Sequence, residues 1–218
     1  MASFKKWRDR RKNPWKGVFY DAFSAWRGER GQARLYDYID LPEGAVVFDM
    51  GGYKGEWADL VLNQQPDCTI HLFEPHPGFA ADLRAKYRED ARVRVYDYAL
   101  GGRDGKLQLS DDKNASSAVA AGDKGLSADL VAAERFFATF GIPGIDLMKI
   151  NTEGGEYDLL PALIDGGFIT RIDRLQVQFH LFEEAMIDRR DAIRAGLEHS
   201  HDCAWEYPFV WEEWRRRS

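Results

Sequence analysis

The sequence predicts an α/β fold in which a mostly parallel sheet carries helices on both faces. Three observations carry this reading. Short runs rich in Val, Ile, Leu and Phe alternate with helical patterns, the signature of βαβ units. The first run ends in a glycine-rich turn that opens a helix. Polar residues crowd the carboxyl end of a later run, where open α/β sheets bind their ligands.

Taken in order, the strands expected are 45–49, 69–73, 93–98, 146–150 and 175–179, with a further short run at 106–109. The helices expected between them are 56–62, 79–88, 128–140 and 159–164. After the fifth main strand, Met186, Ile193 and Leu197 share one helical face. A final strand is expected at 203–209. Pro161 fits a helix only in its first turn, where amide protons have no intrahelical partner, so Asp158 is the expected N-cap. The segment 110–125, acidic and rich in small residues, lacks periodicity and reads as a long loop over the strand ends, of the kind that forms functional lids.

Composition narrows the class. The chain has 218 residues, 44% hydrophobic and 30% charged, enough for one sizeable globular domain. Residues 1–40 read as a basic, aromatic, helical N-terminal extension and 41–218 as the α/β domain proper. Thirty Lys and Arg against 36 Asp and Glu leave a net charge of −6, which argues against nucleic acid as partner. Cys68 and Cys203 are too few and too far apart for a disulfide framework, no secretory leader is evident, and no apolar run approaches the ~20 residues of a membrane span. A cytoplasmic location is expected.

Both ends are basic and aromatic. Lys5, Lys6, Arg8, Arg10, Arg11, Lys12 and Lys16 lie among Trp7, Trp15 and Phe19, and Arg215, Arg216 and Arg217 follow Trp211 and Trp214. Such ends suit solvated termini whose tryptophans cap the core, or weak peripheral contact with an anionic membrane.

The chemistry concentrates at strand ends. The segment from Val46 to Trp57 places Asp49, Gly51, Gly52, Tyr53 and Gly55 at the junction of the first strand and its helix. Glycines admit positive φ and close ligand approach, and the helix N-terminus presents free amides. The dinucleotide fingerprint would need glycines at positions 53 and 56, which are Tyr53 and Glu56, so a nicotinamide cofactor is disfavoured. The segment instead matches D-x-G-x-x-x-G, the pattern of S-adenosylmethionine-dependent methyltransferases. That cofactor carries a sulfonium and an ammonium group and no pyrophosphate, so carboxylates suit it. Glu74 closes the second strand, where an acid can accept both hydroxyl hydrogens of a ribose. Asp97 or Tyr98, at the end of the third, could meet an adenine.

The segments Phe48-Asp49-Met50-Gly51, Phe73-Glu74-Pro75-His76-Pro77, Ala99-Leu100-Gly101 and Lys149-Ile150-Asn151-Thr152-Glu153-Gly154-Gly155-Glu156 resemble, in order, the motifs of the FkbM family of methyltransferases. The resemblance covers about residues 45–180. It implies a Rossmann-like fold, S-adenosylmethionine as donor, and methylation of a hydroxyl oxygen, often on a sugar or natural-product glycan. By position it places Asp49, Gly51, Gly55 and Glu74 around the cofactor, and Asn151, Glu153 and Glu156 beside the transfer centre. Asn151 stands where the family commonly has Asp.

His180, closing the fifth strand, is the candidate base for the acceptor proton, with Glu153 or Glu156 as rival. The acceptor expected is a glycan or small molecule, lipid-linked or phosphorylated variants included. His199, His201 and Cys203, and the cluster Asp111, Asp112 and Asn114, lack the second half of a zinc or EF-hand site, so no metal is expected. Two other readings are a non-catalytic module that keeps the cofactor pocket and a nicotinamide-dependent oxidoreductase.

Overall fold

The computed structural model describes residues 11–109 and 126–217. The basic residues Lys5, Lys6, Arg8 and Arg10, and the segment 110–125 expected as a loop, with Asp111, Asp112 and Asn114, lie outside them. Seven strands form one sheet in the order β3-β2-β1-β7-β8-β10-β9. These are β1 (Val46–Met50), β2 (Thr69–Phe73), β3 (Val93–Tyr96), β7 (Leu147–Ile150), β8 (Arg174–Val177), β9 (His201–Tyr207) and β10 (Trp211–Arg216). The first five are parallel to one another, while β10 runs antiparallel to both β8 and β9. A second sheet of three strands, β4 (Tyr98–Gly101), β6 (Leu126–Ala132) and β5 (Gly105–Leu109), stands beside the carboxyl ends.

Alternation along β1 divides the core. Phe48 and Met50 pack with Phe136 and Phe137 of α5 (Ala133–Phe140), Leu159, Leu160 and Leu163 of α6 (Glu156–Asp165), and Ile193 and Leu197 of α7 (Met186–Leu197). Val47 faces the other layer, where Ala58 and Val61 of α3 (Glu56–Gln64) and Leu83 of α4 (Pro77–Lys86) meet Tyr38. A smaller cluster joins Ala22 and Trp26 of α1 (Gly17–Gly28) and Leu35 of α2 (Gly31–Leu35) to Tyr207 and Val210.

Four expectations are corrected. Residues 126–132 form β6, and the helix starts only at Ala133; Ser127 and Asp129 are exposed while Ala128 between them is buried, a period of two. The strand expected at 93–98 breaks at Asp97, whose carboxylate pairs with Arg84 at 2.7 Å, and Tyr98 enters the second sheet. The C-terminal strand is a hairpin of β9 and β10. In it Arg215, Arg216 and Arg217 pair with Asp40, Asp173 and Asp202 at 3.0, 2.6 and 2.8 Å.

The fourth correction concerns α6, which begins at Glu156 with Gly155 as N-cap, leaving Pro161 in its interior. The amide that proline lacks would have bonded the Tyr157 carbonyl. Arg189 Nη2 donates to that oxygen instead, at 3.1 Å. Asp158 is not the cap; it accepts from the Gly102 amide at 2.8 Å.

Candidate active site

A cavity of about 230 Å³ opens at the carboxyl ends of β1, β2 and β7. Its apolar wall comes from Met50, Phe73, Pro75, Ala99 and Leu100, and from Leu107, Leu109 and Leu130 of the second sheet. Its polar wall is Glu74, Asn151, Thr152, Glu153 and Asp158, with Gly51 and Tyr53 at the turn.

The turn after β1 is shaped by close approach. Gly51 has φ +86°, and a Cβ there would lie 2.1 Å from the Asn151 carbonyl oxygen. Gly52 and Gly55 face the protein: a Cβ on Gly52 would meet Leu72 and one on Gly55 the Tyr87 hydroxyl, so these glycines allow packing rather than line the cavity. Tyr53 and Glu153 both take the left-handed region without being glycine, at φ 49° and 48°, a conformation that costs about 1–3 kcal/mol and gathers at functional sites.

Glu74 is 4% exposed and reaches the cavity wall. One carboxylate oxygen accepts from the Tyr53 amide and the other from the His76 amide, each at 2.8 Å. Burial pushes its pKa up, against the pull of those amides. Each oxygen keeps a lone pair, so a vicinal diol can be bound in the manner expected for a ribose.

Asp49 does not reach the cavity. Adjacent strand residues point to opposite faces, and Met50 is the one that lines it. Asp49 is fully buried, with Oδ1 2.8 Å from Lys149 Nζ and Oδ2 without a hydrogen-bond partner among the described residues. Burial raises its pKa, and Lys149 opposes that rise. The same ammonium donates to the Gly51 carbonyl at 2.9 Å. Lys149 thus ties the acid of the first motif to the turn it precedes, a role the sequence did not reveal because the two residues meet only across β1 and β7.

Asp97 and Tyr98 do not line the cavity either; at that strand Ala99 and Leu100 do. Asp97 is taken by Arg84, and Tyr98 packs against Phe73 and Tyr96. On the far side Asn151 and Glu153 line the cavity, whereas Glu156 and His180 are not part of its lining. Glu156 is fully buried and cannot itself receive a proton from an acceptor. His180 keeps part of its ring accessible, with Nδ1 3.0 Å from Glu156 Oε1, and stacks on Phe182.

The histidines near the C-terminus do not converge. His201 is fully buried between Ser200 and the Ile172 carbonyl, and His199 bonds the Ala195 carbonyl. Among the described residues no three His, Cys, Asp or Glu side chains are grouped to hold a metal ion. No helix of the described residues is long and apolar enough to cross a membrane.

Residues 49–202 match the profile of the family described as Methyltransferase FkbM domain. Among solved structures, the chain resembles an inferred rRNA methylase from Clostridium thermocellum, with a TM-score of 0.55 and 10% identity over 86% of this chain and 96% of the other. It also resembles an rRNA methylase from Streptococcus thermophilus, with a TM-score of 0.51 and 9% identity over 85% and 95%. At such identities these likenesses establish the fold, an α/β sheet of class I methyltransferase type. No curated protein sequence matches the chain significantly.

Proposed function

The chain belongs to the FkbM family of methyltransferases, and from that membership and the cavity at the strand ends we propose that it methylates a hydroxyl oxygen, on a sugar of a glycan or natural product, with S-adenosylmethionine as donor. Glu74 carries the reading: a buried carboxylate at the cavity wall with lone pairs to spare suits a ribose diol. Gly51 and Tyr53 would hold the cofactor at the turn, and Ala99 and Leu100 offer an apolar surface for its base. Bound there, S-adenosylmethionine would supply an electrophilic methyl group for the acceptor oxygen.

The protein's own tasks are alignment and proton removal, because a hydroxyl must lose its proton as it attacks. We assign that proton to His180. Among the described residues, the charged side chains lining the cavity are Glu74, Glu153 and Asp158, all acidic. That wall favours a neutral hydroxyl over a polyphosphate backbone, which supports a sugar acceptor over nucleic acid. A lipid-linked or phosphorylated acceptor would take its cationic contacts outside this wall.

The test is isothermal titration with S-adenosylmethionine and S-adenosylhomocysteine on the parent and on Glu74→Ala, followed by a labelled-methyl screen of glycan acceptors. Micromolar binding lost in the variant, with label transferred to a hydroxyl, supports the reading. Absence of binding to the parent overturns it, and binding without transfer to any acceptor favours a non-catalytic module.

A further inference from the structure

Glu156 does not line the cavity, yet each of its carboxylate oxygens has two polar partners. Oε2 accepts from the Gly154 amide at 2.8 Å and the Thr152 hydroxyl at 3.1 Å. Oε1 accepts from the His180 amide at 2.9 Å and lies 3.0 Å from His180 Nδ1. Burial pushes this carboxyl's pKa up, but the His180 ring and the surrounding amides outweigh it, so the group sits below the ordinary carboxylate range. An ionised carboxylate can only accept, so the ring nitrogen facing it must donate.

We infer that Glu156 is a positioning residue: it holds the Nδ1 proton of His180 and so leaves the Nε2 lone pair as the site that takes the acceptor's hydroxyl proton. Which ring nitrogen carries the proton is set by the hydrogen bond the other makes. Nε2 has no hydrogen-bond partner among the described residues. The rest of the residue is fixed as well. The Tyr157 hydroxyl donates to the His180 carbonyl at 2.9 Å, and the Phe182 ring lies parallel to the imidazole with centroids 5.7 Å apart. The proton balance is simple: it leaves the acceptor oxygen for Nε2 while Nδ1 keeps its own. Glu156, Thr152 and Gly154 belong to one short motif, and Thr152 lines the cavity, so the motif that forms the wall also orients the base.

The assignment rests on the methyl-transfer reading, and its test is separable from that reading. Long-range proton–nitrogen correlation on the full chain with ¹⁵N-labelled histidine, at about pH 8 where a free imidazole is neutral, reads the tautomer of His180. The parent should show Nδ1 protonated and Nε2 bare. In Glu156→Leu, Nδ1 loses the carboxylate that accepts from it, and the proton should shift from Nδ1 towards Nε2. Turnover should then fall about 10²- to 10⁴-fold in kcat, with S-adenosylhomocysteine affinity unchanged. A parent with Nε2 protonated, or a folded Glu156→Leu with the parental pattern, overturns the inference. If the variant does not fold, the parent's ring shifts decide alone. S-adenosylhomocysteine titration of the same parent sample tests the methyl-transfer reading separately.

Discussion

Asp49 and Glu74 close neighbouring strands and read alike in the sequence, yet one is sealed under the sheet and the other faces the cavity. Their substitutions should therefore fail differently. Replacing Glu74 by Gln sets an NH₂ group against a backbone amide; an unsatisfied donor costs about 1–3 kcal/mol. Titration calorimetry should show S-adenosylhomocysteine affinity reduced at least tenfold in Glu74→Gln. Lys149→Met leaves Asp49 buried without its partner, a loss of about 3–5 kcal/mol in the denaturant unfolding free energy. Adding Asp49→Leu should recover most of it, because the second change removes the stranded charge; a double variant no more stable than Lys149→Met would refute the pairing. The sequence shows that acids stand at both strand ends. It does not show that a lysine 100 positions away, on the neighbouring strand, neutralises one of them.

At the scale of elements, the turn after β1 and the start of α6 are two cases in which a local rule meets its tertiary context. Gly51→Ala forces a side chain into positive φ, about 1–2 kcal/mol by itself, and drives its Cβ against the Asn151 carbonyl. The turn must then move away from β7. S-adenosylhomocysteine affinity should fall more than tenfold, measured by titration on protein whose fold is checked by circular dichroism. Pro161 illustrates the opposite outcome. Because Arg189 already occupies the Tyr157 carbonyl, Pro161→Ala should change unfolding stability by less than about 1 kcal/mol, whereas Arg189→Met, which strands that oxygen, should cost about 1–3 kcal/mol. The main parallel strands were legible because their apolar runs are continuous and end in distinctive motifs. β6 was not, since Leu126, Ala128 and Leu130 alternate with polar residues yet run straight into a true helix. Nor was β10, whose run from Trp211 to Arg216 is dominated by charge; Glu212 and Glu213 are buried because Arg190, Arg194, Arg174 and Arg215 reach them. Single-sequence patterning treats such charges as solvent-facing.

Across the whole molecule, acid should act first through a residue that does not line the cavity. His71 on β2 is buried beside Phe48 and Tyr96, with ring centroids at 4.8 and 5.7 Å, and burial pushes its pKa down from 6.5 to about 4. A histidine held neutral by the fold stabilises it fully above pH 6.5, and that contribution is lost as pH falls toward 4, since the unfolded chain binds the proton more readily. The parent should lose about 3 kcal/mol more than His71→Phe between pH 7 and pH 4, read from urea midpoints. Glu156 adds a second acid dependence below its ordinary 4.5, because its lowered pKa makes protonation there favour the unfolded chain.

The antiparallel strand β10 lies between β8 and β9, inside the sheet, although it follows both in the chain. Domains fold largely in the order they are made, at roughly 5–20 residues per second. Here the emerging chain cannot close its sheet on that schedule: β8 keeps an unpaired edge, and Arg174 and Gln176 lack their partner Glu213, until residues 211–216 have been synthesised. The nascent protein therefore exposes a bare, apolar-flanked strand for the time needed to translate α7 and β9, and a chaperone that shields strand edges should be retained on the ribosome-bound chain until β10 emerges.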